Sequence, residues 1–486
     1  MAAASPGVLK IENADDAAEH FFSAGLTDGL PVVLPTRRRV ALMLRGTTLQ
    51  AGEVLGKCPP SYFEVTIEKL AISAVMAGCT PEMFRIVVAA TKAMLSPDFG
   101  LHGVHATTMG ATPVVVVNGE CRQVAKVNYK HGVCGSGSRS TSIGRALKLL
   151  LQNVGRAKLA GTESTTLGTP MKFGMCFGEW EERSTMWEPL ATTIDGALKR
   201  GEDAVTVLAA AGGPVQFVDF ESTPGELLDR LANTMSVAYA PQIPLVNQCL
   251  LVVSPEHYDT FLKAGMDTKA KLAEALWKRM GKNMLPHLEY VLTALFKKKA
   301  PNLPKIFIKL LALVLRSVGT LATCLGLPFN LVPKFSSPAS IKIVVAGGMA
   351  GKFSAFMPGF GVGAPGMPTA NMSTPVTAHV EPRPAALDAK APDIKDGDDI
   401  LDPVPDVSHK PTLLAKRTGG MAEPVALLDI SKARGSELLD VYEAKLKALG
   451  IQTRRYAKPA FSRPCPEALL REVAAECRSA IIGLAD

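Results

Sequence analysis

Three short strand-like runs near the carboxyl end decide how this chain is read: Val425-Ala426-Leu427-Leu428-Asp429-Ile430, Ile451-Gln452-Thr453-Arg454-Arg455-Tyr456 and Ser479-Ala480-Ile481-Ile482-Gly483-Leu484. Between the first two, Gly435–Leu449 repeats Leu438, Leu439, Tyr442, Leu446 and Leu449 at helical spacing and is closed by Gly450. Between the second two, Pro466–Cys477 places Leu469, Leu470 and Val473 on one helical face. The pattern is strand, helix, strand, helix, strand. It predicts a Rossmann-like βαβαβ unit that stops at the carboxyl end of its last strand. Ligands of open α/β sheets sit just past such ends, so a truncated unit lacking its active-site loop is expected. The plain alternative is a small domain whose last strand is terminal.

Working outward, residues 385–422 are rich in proline, aspartate and lysine, as in Pro392-Asp393-Ile394-Lys395-Asp396-Gly397-Asp398-Asp399, and read as a mobile linker. Residues 1–384 then form a large α/β domain, and 423–486 the small one. Within the large domain, helices are expected at Asp15–Ala24, Thr66–Met76, Pro81–Leu95 and Thr141–Asn153, with 267–296 mostly helical. Strands are expected at Leu30–Pro35, Thr112–Val117, Ala204–Ala210, Gln248–Val253 and Ile341–Ala346. No internal repeat is evident.

The 486 residues are 47% hydrophobic and 20% charged, a globular composition. Net charge is +8 and aromatics are 6%, and the basic triplets Arg37–Arg39 and Lys297–Lys299 lack interleaved stacking residues, so no nucleic-acid partner is expected. Nine cysteines without a CxxC pair argue against a disulfide framework or a zinc site and for a reducing, cytoplasmic setting. Ile306–Leu327 is interrupted by Lys309 and Arg316 and is too broken to span a bilayer. It is read as a buried helix of the large domain, with an interfacial amphipathic helix behind Lys297–Lys299 as the alternative, and no membrane partner is expected.

Two glycine turns are the places where chemistry is expected in the large domain. Gly135-Ser136-Gly137-Ser138-Arg139-Ser140-Thr141 runs into a helix that also carries Arg145. Free backbone N–H groups and the helix dipole there suit an anion. Ser140 stands where a GxGxxG fingerprint needs glycine. The alternative is an ordinary capped helix. Gly347-Gly348-Met349-Ala350-Gly351-Lys352 follows a strand, and Phe353 after the lysine breaks a phosphate-loop motif. The anion-binding set is therefore Gly135, Gly137, Arg139, Ser140, Thr141, Arg145, Gly348, Gly351 and Lys352, acting on a small-molecule substrate. Catalytic candidates are Cys134 beside His131, His105, and Glu179 within the cluster of Glu179, Glu181 and Glu182. His102 and His105 lack a third metal ligand, so no metal is expected, and the sequence leaves the cofactor open.

Leu427-Leu428-Asp429-Ile430-Ser431-Lys432, Tyr456-Ala457-Lys458-Pro459-Ala460-Phe461-Ser462 and Gly483-Leu484-Ala485-Asp486 resemble the UGSC-like domain family. Residues 62–78, 101–108, 144–155, 170–179 and 347–361 resemble the long region ahead of such domains, with Cys134 outside the pattern. In that family the Gly-Leu-Ala-Asp tetrapeptide is followed by U-G-S-C, where U is selenocysteine or cysteine. The resemblance thus implies a selenoprotein-type thiol/selenol oxidoreductase or reductive lyase, with its redox residue expected after Asp486. A gene that reads a selenocysteine codon as stop would end here. The alternative is a non-redox enzyme or small-molecule-binding protein using the 135–145 turn.

Overall fold

The structure is a computed structural model. It describes residues 8–9, 14–135, 137–220, 223–238, 245–246, 248–282, 292, 304–324, 332–349, 351–363, 373–389, 399–405, 422–431, 435–459 and 464–483.

Two four-stranded sheets form the centre of the large domain. In the first, strand Thr112–Asn118 runs parallel to Met175–Gly178 on one side and antiparallel to Ala204–Ala210 on the other, and Val376–His379 closes the edge. In the second, Cys249–Val253 runs parallel to Ile341–Val345 and antiparallel to Phe353–Pro358, and Val215–Val218 closes the edge. Side chains alternate across each strand, and the central strands are buried on both faces, so successive residues join different cores. Val114, Val116 and Phe177 of the first sheet meet Leu250, Val252 and Val344 of the second in a shared core. The opposite face of the first sheet, with Val115 and Val117, is covered by helices Ile67–Ala77, Pro81–Leu95 and Thr141–Asn153. The opposite face of the second, with Leu251 and Ile343, is covered by helices Pro224–Ser236, Pro255–Lys263 and Lys269–Arg279. The result is four layers, helix–sheet–sheet–helix. Strands buried on both faces explain why Val114–Val117 reads as an unbroken apolar run.

The two sheets repeat one connectivity, which the sequence did not disclose. Each half supplies a central strand, a parallel neighbour and an antiparallel neighbour, then sends its fourth strand to the edge of the other sheet. Residues 215–218 cross to the second sheet and residues 376–379 cross back to the first. The crossing points are tied reciprocally, Ala211 N to Pro358 O at 2.9 Å and Phe360 N to Ala209 O at 2.8 Å.

Leu30–Pro35 is extended but joins no sheet. Prolines 31 and 35 lack the N–H a ladder needs, and Val33 N instead donates to Met76 O at 3.1 Å. Lys305–Cys324 is a helix with only one face buried, through Ile308 and Ala312, rather than an interior helix. Within 267–296 the helix Lys269–Arg279 is present and Gly281–Lys282 is a short strand, while residues 283–291 and 293–296, like 325–331, lie outside the described residues. No helix among the described residues is long and apolar enough to cross a membrane. In the segment read as a linker, Ile400–Leu401 pairs antiparallel with Val8–Leu9, and Lys69 Nζ donates to Asp402 O at 2.8 Å.

The carboxyl-terminal unit is a three-stranded parallel sheet. Val425–Asp429 lies at the centre between Thr453–Ala457 and Ser479–Gly483, and helices Gly435–Ala448 and Glu467–Glu476 form the crossovers. Leu439 and Leu446 bury the first helix against Val425 and Leu427.

Candidate functional site

In the large domain, the carboxyl ends of both parallel strand pairs converge. Trp180 N, just past strand Met175–Gly178, donates to Val345 O at 2.7 Å, and Gly347 N donates to Tyr129 O at 3.1 Å. These bonds draw the 128–138 loop of the first half against the glycine turn of the second. The two turns that are separate in sequence therefore wall one cleft of about 410 Å³, lined by His131, Cys134, Gly135, Gly347, Gly348 and Gly351. A Cβ on Gly348 would lie 2.3 Å from His131 Nδ1, so the present packing of that ring requires glycine.

A second, more polar groove of about 640 Å³ shares His131 with the first and is lined by Arg122, Lys126, Tyr129, Lys130 and Trp180. Tyr129 and Trp180 meet edge-to-face at 5.9 Å, and Lys130 Nζ lies 5.4 and 5.0 Å from their ring centroids. Arg122 stacks 4.8 Å above Tyr129 and is held by Glu182 at 2.6 Å and Glu181 at 3.4 Å. Its buried Nη1 has no hydrogen-bond partner among the described residues. Burial raises the Glu182 carboxyl, but hydrogen bonds from Arg122, Gln123 and the backbone, together with the Arg122 charge, outweigh it and the group stays below the usual carboxylate range. The cationic side chains suit a small anionic molecule, and the aromatic faces hold Arg122 and Lys130 in place.

The remaining sequence candidates are dispersed. Gly137 lines the larger groove, and Arg139 lines a neighbouring hollow with Glu82. Ser140 is buried with its Oγ 2.9 Å from Ser138 Oγ, and Thr141 opens the helix. Arg145 turns away to grip Asp28 at 2.7 and 2.8 Å and the Pro31 carbonyl at 3.0 Å. Lys352 Nζ donates to Phe220 O at 2.7 Å. Burial pushes the Cys134 thiol up to about 12, so it is a thiol at neutral pH.

Glu179 is fully buried. It accepts from Lys269 Nζ at 2.5 Å, Leu190 N at 2.6 Å and Asn118 Nδ2 at 2.9 Å, tying the strand end to two helices. His105 lies apart from both grooves. Its ring nitrogens are buried without partners among the described residues, and burial, then Lys148, pushes its pKa down to about 3. Nearby, Glu163 pairs with Lys148 at 2.5 Å and Lys172 at 2.8 Å. One pair escaped the sequence reading altogether: His257 Nδ1 lies 2.8 Å from Ser354 Oγ, with Nε2 3.3 Å from Asp219 O. Ser354 alternates onto the same face as Phe356, under the helices, and also borders the 410 Å³ cleft, while His257 is fully buried behind it.

At the carboxyl-terminal unit, the first strand has the second on one side and the third on the other. The chain reverses its lateral direction between Val425–Asp429 and Ser479–Gly483, which makes that gap a topological switch point. Asp429 Oδ1 accepts from Ser431 N at 2.8 Å, and Lys458 N donates to Asp429 O at 2.7 Å. Ser431 takes φ 66°, which bends the chain sharply off the strand, and its Oγ donates to Lys458 O. A Cβ on Gly483 would lie 2.8 Å from Leu439 Cγ, so close helix packing fixes that glycine. Leu484–Asp486 lie outside the described residues.

Comparison with curated proteins and with solved structures yields no match. The match to a known family begins at Asp399, whose carbonyl accepts from Arg37 N at 3.1 Å, and runs through the parallel unit to Asp486. Residues 399–486 are a domain of the UGSC family.

Proposed function

We propose that the protein is a thiol/selenol-dependent oxidoreductase or reductive lyase acting on a small anionic molecule. The observation that carries this reading is the switch point between Asp429 and Gly483 in a UGSC family domain. Gly483 begins the tetrapeptide that the family's U-G-S-C motif follows, so the motif's first residue would emerge at the crevice where parallel sheets place ligands. That residue would supply two electrons to the substrate, end bonded to the motif's cysteine as a selenenylsulfide or disulfide, and be restored by an external dithiol. The large domain would hold the substrate in the cleft between its glycine turns, with His131 at its edge and Lys126 and Lys130 in the adjoining groove supplying positive charge. Cys134 is no rival nucleophile while burial keeps it protonated.

The test is dithiol consumption by protein carrying the U-G-S-C continuation, with cysteine or serine at the first motif position, across a panel of small anions. Turnover with cysteine and none with serine is expected. Equal activity of the two would sink the redox reading. A second reading, a non-redox enzyme or binding protein, is favoured by one fact: every lining residue of the 410 Å³ cleft lies in the large domain. Anion binding unaffected by removal of the carboxyl-terminal unit would support it.

A further inference from the structure

We infer that helix Lys305–Cys324 is a membrane-surface element that lays its exposed face on an anionic phospholipid bilayer. Ile306, Phe307, Leu310, Leu313, Val314 and Val318 are each more than half exposed. They recur at i, i+1, i+4, i+7, i+8 and i+12, which is one stripe of an α-helix. Ile308 and Ala312 on the opposite side are buried, so the helix is anchored to the protein by one face while the other is bare. From Ile306 to Val318 the bare stripe runs for about 18 Å.

Charge selects the occupant. No acidic residue occurs between Glu289 and Glu381, while that stretch holds nine lysines and arginines. The rest of the chain is close to neutral, so this segment accounts for the whole net charge of +8. Six of the nine, Lys297–Lys299, Lys305, Lys309 and Arg316, lie in or just ahead of the helix, and the last three follow the i, i+4, i+11 spacing of one helical row. An exposed apolar stripe with basic residues and no acids is the composition that adsorbs to anionic headgroups. A second copy of the chain on the same face would bring two acid-free basic segments together, and their repulsion disfavours it. The helix is not long and apolar enough to cross the bilayer, so the contact is with its surface.

The experiment is co-sedimentation of the full chain with phosphatidylcholine vesicles, with and without phosphatidylglycerol. Binding is expected only with phosphatidylglycerol, and it should weaken as salt rises from about 0.1 to about 0.5 M. Leu310→Glu/Leu313→Glu, at two exposed positions, should retain the fold by circular dichroism and lose binding by about tenfold or more. Lys309→Glu should show a smaller loss that salt erases. Absence of binding to phosphatidylglycerol vesicles, or binding that the double variant leaves intact, overturns the inference. Dimers in sedimentation velocity that the double variant dissociates, without vesicle binding, would assign the face to a second copy and overturn it as well.

Discussion

Asp429 and Gly483 are register partners at the carboxyl ends of two parallel strands, and each is fixed from a different side. Asp429 is held by the amides of Ser431 and Lys458, and Gly483 by the side chain of Leu439 on the crossover helix. The gap between them is where a residue following the Gly-Leu-Ala-Asp tetrapeptide would be presented.

Gly483→Val should therefore loosen the small unit without touching the large one. The new side chain must displace Leu439 from the core it shares with Val425 and Leu427. Overpacking of this kind costs about 1–3 kcal/mol. Hydrogen exchange should rise across 425–483, while strand Thr112–Asn118 stays protected.

Gly144→Ala and Gly348→Ala make a contrasting pair. An alanine inside an exposed helix normally gains about 1 kcal/mol over glycine. At Gly144 the sign should reverse, because the added Cβ would lie 2.4 Å from Met175 N, backbone that cannot step aside. A loss of about 2 kcal/mol or more in urea unfolding is expected. At Gly348 the obstacle is the His131 ring, which is exposed and can swing away. Stability there should change by less than about 1 kcal/mol, while the His131 imidazole resonances move.

His105 predicts acid lability. Its folded pKa, about 3, lies below the 6.5 of a free imidazole, so the unfolded chain binds the extra proton first. Stability is full above about pH 6.5 and falls as pH drops toward 3, by up to about 1.4 kcal/mol per unit for the one proton. Glu163 adds to the decline at lower pH. Burial opposes its ionisation, but Lys148 and Lys172 hold it at about 2, so its contribution is lost between about 4.5 and 2. His105→Leu removes two unsatisfied buried nitrogens, and should match the parent at pH 7 and flatten the decline above pH 4 in a urea–pH series.

Burial pushes Cys58, Cys79 and Cys134 each to about 12. At pH 7 only about one in 10⁵ of such thiols is ionised. Iodoacetamide mapping should label half-exposed Cys465 first among the cysteines of the described residues. Rapid labelling of Cys134 would instead place a nucleophile in the large-domain cleft and count against the redox reading.

The small unit was legible because its strands and helices carry opposite periodicities and sit next to one another in sequence. Ala204–Ala210 and Pro81–Leu95 were legible for the same local reason. What depends on distant partners was not. Arg145 reads as an anion ligand until Asp28, 117 residues away, closes on it. Tyr129, Lys130 and Trp180 come from two loops of the first half, far apart in sequence, that meet where Gly178 N bonds to Asn128 O, and both are tied to the other sheet's strand end through Val345 and Gly347. The exchange of edge strands between the halves is a property of pairing, and no local pattern encodes it. The stripe on Lys305–Cys324 has helical spacing in the sequence, but which face the protein covers is set by the fold.

The most direct measurement is to read the transcript past the codon for Asp486. The account predicts an in-frame selenocysteine or cysteine codon followed at once by codons for Gly-Ser-Cys. For selenocysteine, a UGA codon with a downstream insertion element is expected. A different stop codon, or a continuation without that motif, would contradict the redox reading and leave the cleft between the glycine turns as the site to pursue.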